Sequence, residues 1–167
     1  QGLDLVEAEL DTILTALARQ AATHRHTVMA GRTHLQQALP TSFGLKCAIW
    51  AQPFLAHRER LAQLRPRVQV VEFSGAAGTL ASLGDQGITV MEALADELGL
   101  GVPLAPWHVC RDALAETVGL LGLICGSLAK LATDIILLAQ TEVGEVAEPY
   151  VAGRGASSTM PQKRNPI

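Results

Sequence analysis

The stretch from Asp112 to Thr141 constrains this chain more than any other. Apolar residues recur through it at helical spacing, and at 1.5 Å per residue it would reach about 40 Å. It is apolar on more than one side, so a helix formed here must be covered on several faces, as in a bundle of long, near-parallel helices. Composition sharpens the point: 49% of the 167 residues are hydrophobic and only 17% charged, against roughly 25% charged in ordinary globular chains. That balance excludes intrinsic disorder. It also leaves more apolar surface than one small monomer can hide, which predicts burial against partner chains. Aromatic residues are only 4%, so Leu, Val, Ile and Ala must build the core.

The remaining pattern is also helical. Leu3, Val6, Leu10, Ile13, Leu14 and Leu17 form a stripe that predicts a helix to about His24, with acidic residues in its first turns. The polar stretch GRTHLQQALP interrupts it and reads as a loop. Thr41 or Ser42 can cap a second helix that carries Phe43 to Leu64 and ends before Pro66, with Pro53 kinking it rather than stopping it. VQVVEF (68–73) is β-prone, but its place between helix signals reads as a helix tail. A small-residue loop FSGAAGT (73–79) and a helix over about Gln86–Leu98 follow, with Gly99 in the cap position. From Glu148 onward the chain is loop-like. No internal repeat and no convincing alternating strand pattern occur, so the predicted fold class is all-α, one helical domain over 1–167.

Charge and cysteine usage narrow the function classes. Net charge is −3 with no Lys/Arg cluster, which argues against a nucleic-acid or anionic-membrane surface. Cys47, Cys110 and Cys125 are too few and too scattered for a disulfide framework and read as buried thiols in a reducing cytoplasm. The longest uncharged apolar run, Thr117–Ala129, is short of the roughly 20 residues that span a bilayer, so no transmembrane segment is expected. No signal peptide is recognised, and both ends read as cuts through a longer protein.

Three segments concentrate reactive groups: Arg32-Thr33-His34, Ser74–Thr79, and Gly153–Asn165. Polar groups set between long helices are held firmly yet stay accessible. His34 can shuttle a proton or donate to an anion, with Thr33 and Arg32 as anion ligands; the plain alternative is a helix-end histidine on a backbone carbonyl. Gly75 to Gly78 present backbone N–H groups to a carboxylate, or simply make a tight connection. Gly153 and Gly155 lead to Ser157 and Ser158, then Lys163 and Asn165, a set suited to an anionic substrate; the alternative is a flexible linker. A serine acts as a base only where water is excluded and cations or dipoles hold the alkoxide. His24 and His26 read as a solvated helix end, His57 as surface, and His108 as a helix entry. No metal-ligand spacing occurs, so no metal is assigned.

GRTHLQQALP and GASSTMPQKRNPI, in this order and separated by a long helical stretch with SGAAGT, resemble the second and third signature regions of the fumarase/aspartase/adenylosuccinate lyase superfamily. GRTHLQQALPTSFGLKCAIW, FSGAAGTLASLGDQG and QTEVGEVAEPYV are most similar to its carboxymuconate cycloisomerases, with adenylosuccinate lyase as the competitor. The resemblance covers the chain as a central helical domain, with N- and C-terminal domains and the first signature region absent. It implies a cytoplasmic homotetramer in which neighbouring subunits share each site, no organic or metal cofactor, and addition or elimination beside a carboxylate through a carbanion. For the cycloisomerases of aromatic catabolism, the β-ketoadipate route, it implies that a carboxylate of a small tricarboxylate adds intramolecularly to a double bond. By motif position Ser157 is the acid/base serine, and His34 supports proton transfer or binding. Thr33, Ser158, Lys163 and Asn165 bind substrate or order the loop, and Arg32 and Arg154 are further cations for a tricarboxylate. The fragment alone is expected to be inactive.

Two departures matter. Ala156 stands where the motif usually carries Gly, which strains the loop if that position needs a positive φ, and Gln162 replaces a frequent His. Two alternatives remain: a fumarate-releasing lyase of the same fold, and a catalytically silent helical protein such as certain lens crystallins. The retained polar set speaks against the latter, because packing alone does not need those groups together.

Overall fold

A computed structural model describes residues 1–149, 151 and 154–166. Four helices dominate: α1 (Gly2–Thr23), α2 (Phe43–Val68), α3 (Gly87–Leu98) and α4 (Asp112–Leu138), with a short 3-10 turn over Ala81–Gln86. The all-α expectation holds, with α1, α3 and α4 within a few residues of their predicted bounds. Gly99 caps α3 in the left-handed conformation, φ 63°, its N–H reaching the carbonyls of Ala95 and Asp96.

GRTHLQQALP corrects the loop expectation. It lies in an antiparallel hairpin, β1 (Val28–Thr33) and β2 (Gln36–Ser42). His34 and Leu35 make the two-residue turn, both at positive φ (50° and 65°), the pattern that matches strand twist in tight hairpins. Pro40 sits opposite Ala30; both strands of a two-stranded ribbon are edges, so a residue without an N–H is tolerated. Register shifts between Gly31 and Arg32. A Cβ on Gly31 would lie 2.8 Å from the Leu39 carbonyl oxygen, so only glycine allows this approach.

α2 also outruns its predicted stop, passing Pro53 and Pro66 to end at Val68. Pro66 removes one intrahelical N–H bond, but it lies only two residues from the helix end, so the loss is confined to the last turn. Arg65, bonded to Asp4 and Glu7, and Arg67, bonded to Glu116, hold the last turn. The predicted helix tail over 68–73 is wrong beyond Val68. The chain is irregular there except for an isolated parallel bridge between Val70 and Gly101.

The chain divides into two compact units. The first comprises residues 1–13 and 54–124. Its core includes Leu10, Phe54, Leu61 and Leu64 and a cluster of Val71, Leu80, Met91 and Ala95. Trp107 closes over this cluster, its Nε1–H donating to the Val71 carbonyl at 2.9 Å. His57 is buried here, 4% exposed, edge-on to Phe54, which corrects its surface reading. Burial, with the Arg60 charge, holds its pKa below the ordinary histidine value.

The second unit comprises residues 14–53 and 125–167, with Leu17, Cys47, Trp50 and Leu138 buried. The start of α2 meets the end of α1 closely enough that a Cβ on Gly44 would lie 2.6 Å from the Ala21 carbonyl oxygen. Two early N–H groups of α2 are satisfied across this junction, Phe43 by Thr27 and Gly44 by His24, both at 2.9 Å. Ser42 caps α2, its Oγ accepting from Leu45 N–H at 3.2 Å. Of the cysteines, Cys47 is buried as predicted, but Cys110 and Cys125 are exposed. α4 is long and apolar enough to cross a membrane, contrary to the expectation from its uncharged run. Val118, Leu123 and Ile136 on it lie more than half exposed in the chain by itself.

Candidate functional site

The second unit carries both the hairpin motif and the serine motif, but their side chains line different cavities. The first cavity, about 250 Å³, is walled by Val146–Pro149 and by the terminal loop, including Arg154, Ser157, Lys163 and Asn165. The loop closes on itself through the Ala156–Arg164 bridge and an Asn165 N–H to Gly155 carbonyl bond of 2.9 Å. Gly155 takes the positive φ, 67°, and Ala156 does not. The departure at Ala156 therefore introduces no left-handed strain. Gly153 lies outside the described residues.

Ser157 is the best-prepared group in this cavity. Its Oγ accepts from the backbone N–H of Met160 at 3.1 Å and, more weakly, from that of Thr159 at 3.4 Å. Both N–H dipoles favour negative charge on that oxygen, the condition an alkoxide base requires. Lys163 is exposed, its backbone closing a turn to the Met160 carbonyl at 3.0 Å. Arg154 and Ser158 are exposed as well, and Ser158 is not among the lining residues.

The second cavity, about 550 Å³, is lined by the hairpin residues Arg32 and His34, by Lys46 and Trp50 of α2, and by Lys130 and Asp134 of α4. Thr33 and His34 are exposed at the hairpin tip. Arg32 is engaged: its two terminal nitrogens donate to Glu145 at 2.7 and 2.9 Å. The Arg32 hydrogen bonds hold the Glu145 carboxyl below the ordinary carboxylate range. Asp134 gathers Trp50 Nε1–H at 2.6 Å, Lys130 Nζ at 2.5 Å and Lys46 Nζ at 3.3 Å. Burial pushes its pKa up, but these donors outweigh burial and the net shift is downward.

Sequence reasoning missed Lys46, Asp134 and Glu145. Lys46 and Glu145 lie inside the segments that carry the family resemblance, and that was the only signal for them. Among the described residues, no group of three His, Cys, Asp and Glu side chains is placed to hold a metal ion.

A family model described as lyase matches residues 1–167. The chain belongs to that lyase family. The resemblance to the fumarase/aspartase superfamily is borne out with it. A 3-carboxy-cis,cis-muconate cycloisomerase of Pseudomonas aeruginosa is 52% identical over 167 residues, all of this chain and 36% of that protein. Trans-aconitate decarboxylase 1 of Mycosarcoma maydis is also 52% identical, over all of this chain and 34% of its own length. The crystal structure of the 3-carboxy-cis,cis-muconate lactonizing enzyme of Pseudomonas putida superposes with a TM-score of 0.90 at 51% identity, covering 98% of this chain and 37% of that one. The chain thus spans about a third of the length of the lyase-family relatives it matches.

Proposed function

We propose that the protein carrying this chain is a 3-carboxy-cis,cis-muconate cycloisomerase of protocatechuate breakdown. One carboxylate oxygen of the substrate adds to a carbon of its own double bond and closes a lactone ring. The electron pair moves to the neighbouring carbon, where the adjacent carboxylate stabilises it as a carbanion, and a proton delivered to that carbon gives 4-carboxymuconolactone. Ser157 is the acid/base: its hydroxyl delivers the proton, and the N–H groups of Met160 and Thr159 stabilise the alkoxide left behind. Lys163 and Arg154 balance substrate carboxylates, Asn165 holds the loop closed, and Ser158 and Thr33 add hydrogen bonds. His34 binds the substrate or relays a proton.

The observation that carries this reading is the match to the Pseudomonas aeruginosa cycloisomerase along the whole chain. Because Ser157 and His34 line different cavities, the reading includes a cytoplasmic homotetramer in which neighbouring copies complete each site. The equal identity to a trans-aconitate decarboxylase supports a second reading, in which the substrate is another unsaturated tricarboxylate. The test offers 3-carboxy-cis,cis-muconate, trans-aconitate and adenylosuccinate to the full-length protein and to Ser157→Ala. Lactone formation from the first alone, reduced about 10²- to 10⁴-fold by the substitution, supports the proposal. Turnover of either other substrate in preference, or wild-type rates in Ser157→Ala, would refute it.

A further inference from the structure

The Arg32–Glu145 pair is built unlike an ordinary surface ion pair. Both side chains are largely covered, 21% and 24% exposed. The guanidinium meets the carboxylate through two parallel bonds, the arrangement that best fixes relative orientation. Glu145 therefore grips β1 at Arg32, directly beside the register shift between Gly31 and Arg32. A bulge of this kind turns the strand and re-aims its side chains.

Glu145 is itself firmly presented. Its N–H donates to the Leu138 carbonyl at the end of α4 (3.0 Å), after a turn in which Gly144 takes a φ of 59° and bonds the Gln140 carbonyl at 2.7 Å. The residues that follow, Val146 to Pro149, wall the Ser157 cavity. One carboxylate thus joins the hairpin that ends in Thr33 and His34 to the chain segment beside Ser157. A guanidinium whose forked face is already filled by a carboxylate is poorly placed to take a carboxylate of a substrate.

We propose that Arg32 is a positioning residue, not a substrate ligand: with Glu145 it latches the hairpin tip that carries Thr33 and His34 to the wall of the Ser157 cavity. The inference rests on the lyase reading for its kinetic consequence and on the geometry alone for its structural one. The test makes Arg32→Gln, Glu145→Gln and the double variant in the full-length protein. It measures kcat and KM with 3-carboxy-cis,cis-muconate and amide hydrogen exchange over residues 28–42. The latch predicts that each single change lowers kcat by about tenfold or more with KM within about threefold. The double is no worse than the worse single, because both remove one interaction. Hairpin amides exchange faster in both singles, and the swap Arg32→Glu/Glu145→Arg regains part of kcat.

If Arg32 bound substrate instead, Arg32→Gln would raise KM while Glu145→Gln, by freeing the guanidinium, would leave KM unchanged or lower it. That opposed pattern, or additive losses in the double variant, would overturn the latch. Should the wild-type protein fail to turn over the carboxymuconate, the proposed function falls. Hydrogen exchange alone then decides the latch: faster exchange in both singles sustains it, and unchanged exchange refutes it.

Discussion

Gly155→Ala tests how the serine is held. At φ 67° an L-residue costs about 1–2 kcal/mol, and the new Cβ would sit 2.5 Å from the Asn165 carbonyl oxygen. No real contact is that short, so residues 155 and 165 must separate. The Asn165 N–H to Gly155 carbonyl bond ties the same two residues, and its loss adds about 1 kcal/mol. Together these make about 2–3 kcal/mol against the closed loop, or a fall of roughly 30- to 150-fold in the ratio of closed to open loop. None of the described residues from 139 to 166 is buried, so the strain is relieved by opening the loop and not by unfolding the core. Steady-state assays of the full-length variant should show kcat reduced by at least about tenfold and by at most that factor. The melting temperature should move by less than about 2 °C, since about 1 kcal/mol of global destabilisation shifts it by 2–4 °C in larger domains. A kcat within about threefold of wild type would refute the claim that loop closure sets Ser157. A large melting shift would refute the claim that the loop is independent of the core.

Three further outcomes follow from the packing. His57 has a depressed pKa in the folded state, so the unfolded chain binds its proton more readily. The resulting stability is fully present above the unfolded value of about 6.5 and falls as pH drops below it; His57→Gln should flatten the melting temperature between pH 7 and 5, and an unchanged slope would exclude His57 as its source. Asp134→Ala should destabilise by about 1–3 kcal/mol in denaturant titrations, because it leaves the Trp50 N–H unpaired and nearly buried; a neutral result would show that another acceptor replaces it. Gly44→Ala should destabilise by about 1–3 kcal/mol by forcing α1 and α2 apart at Ala21 and Arg25, and a soluble, equally stable variant would contradict the close approach.

What could be read from the sequence followed the range of the signal. α1, α3 and α4 declare themselves through apolar residues three and four apart, and the αL cap of α3 through Gly99. The hairpin stayed hidden because its turn is His34–Leu35, without the Gly or Asn that usually announces a tight reversal, and because most of β2 is exposed and carries no inward-outward alternation. His57 was misread from its neighbour Arg58: one charged neighbour says little about the face a helical residue occupies. Ser157, Lys163, Asn165, Thr33 and His34 are proposed as site residues because each lies inside a short contiguous motif. Asp134 and Glu145 hold partners 84 and 113 positions away, and no local pattern encodes such pairs.

The exposed apolar length of α4 and the separation of the two motifs point the same way. α4 passes a length-and-composition test for a membrane span, yet both of its ends are tied to α2 by charge. Glu116 holds Arg67 in the first unit, and Asp134 with Lys130 and Lys46 forms a cluster in the second. A bilayer would have to strip water from these groups or let them reach its surface. In the proposed homotetramer a neighbouring copy would cover the exposed Val118, Leu123 and Ile136 while leaving the charged ends in place. The same neighbour answers the chemical problem. A substrate with three carboxylates needs a prepared hydroxyl, an imidazole and several cations around one small molecule, and here the hydroxyl and the imidazole line separate cavities. In the proposed homotetramer one association satisfies both demands, so a variant that leaves α4 folded but blocks association should lose activity and stay helical.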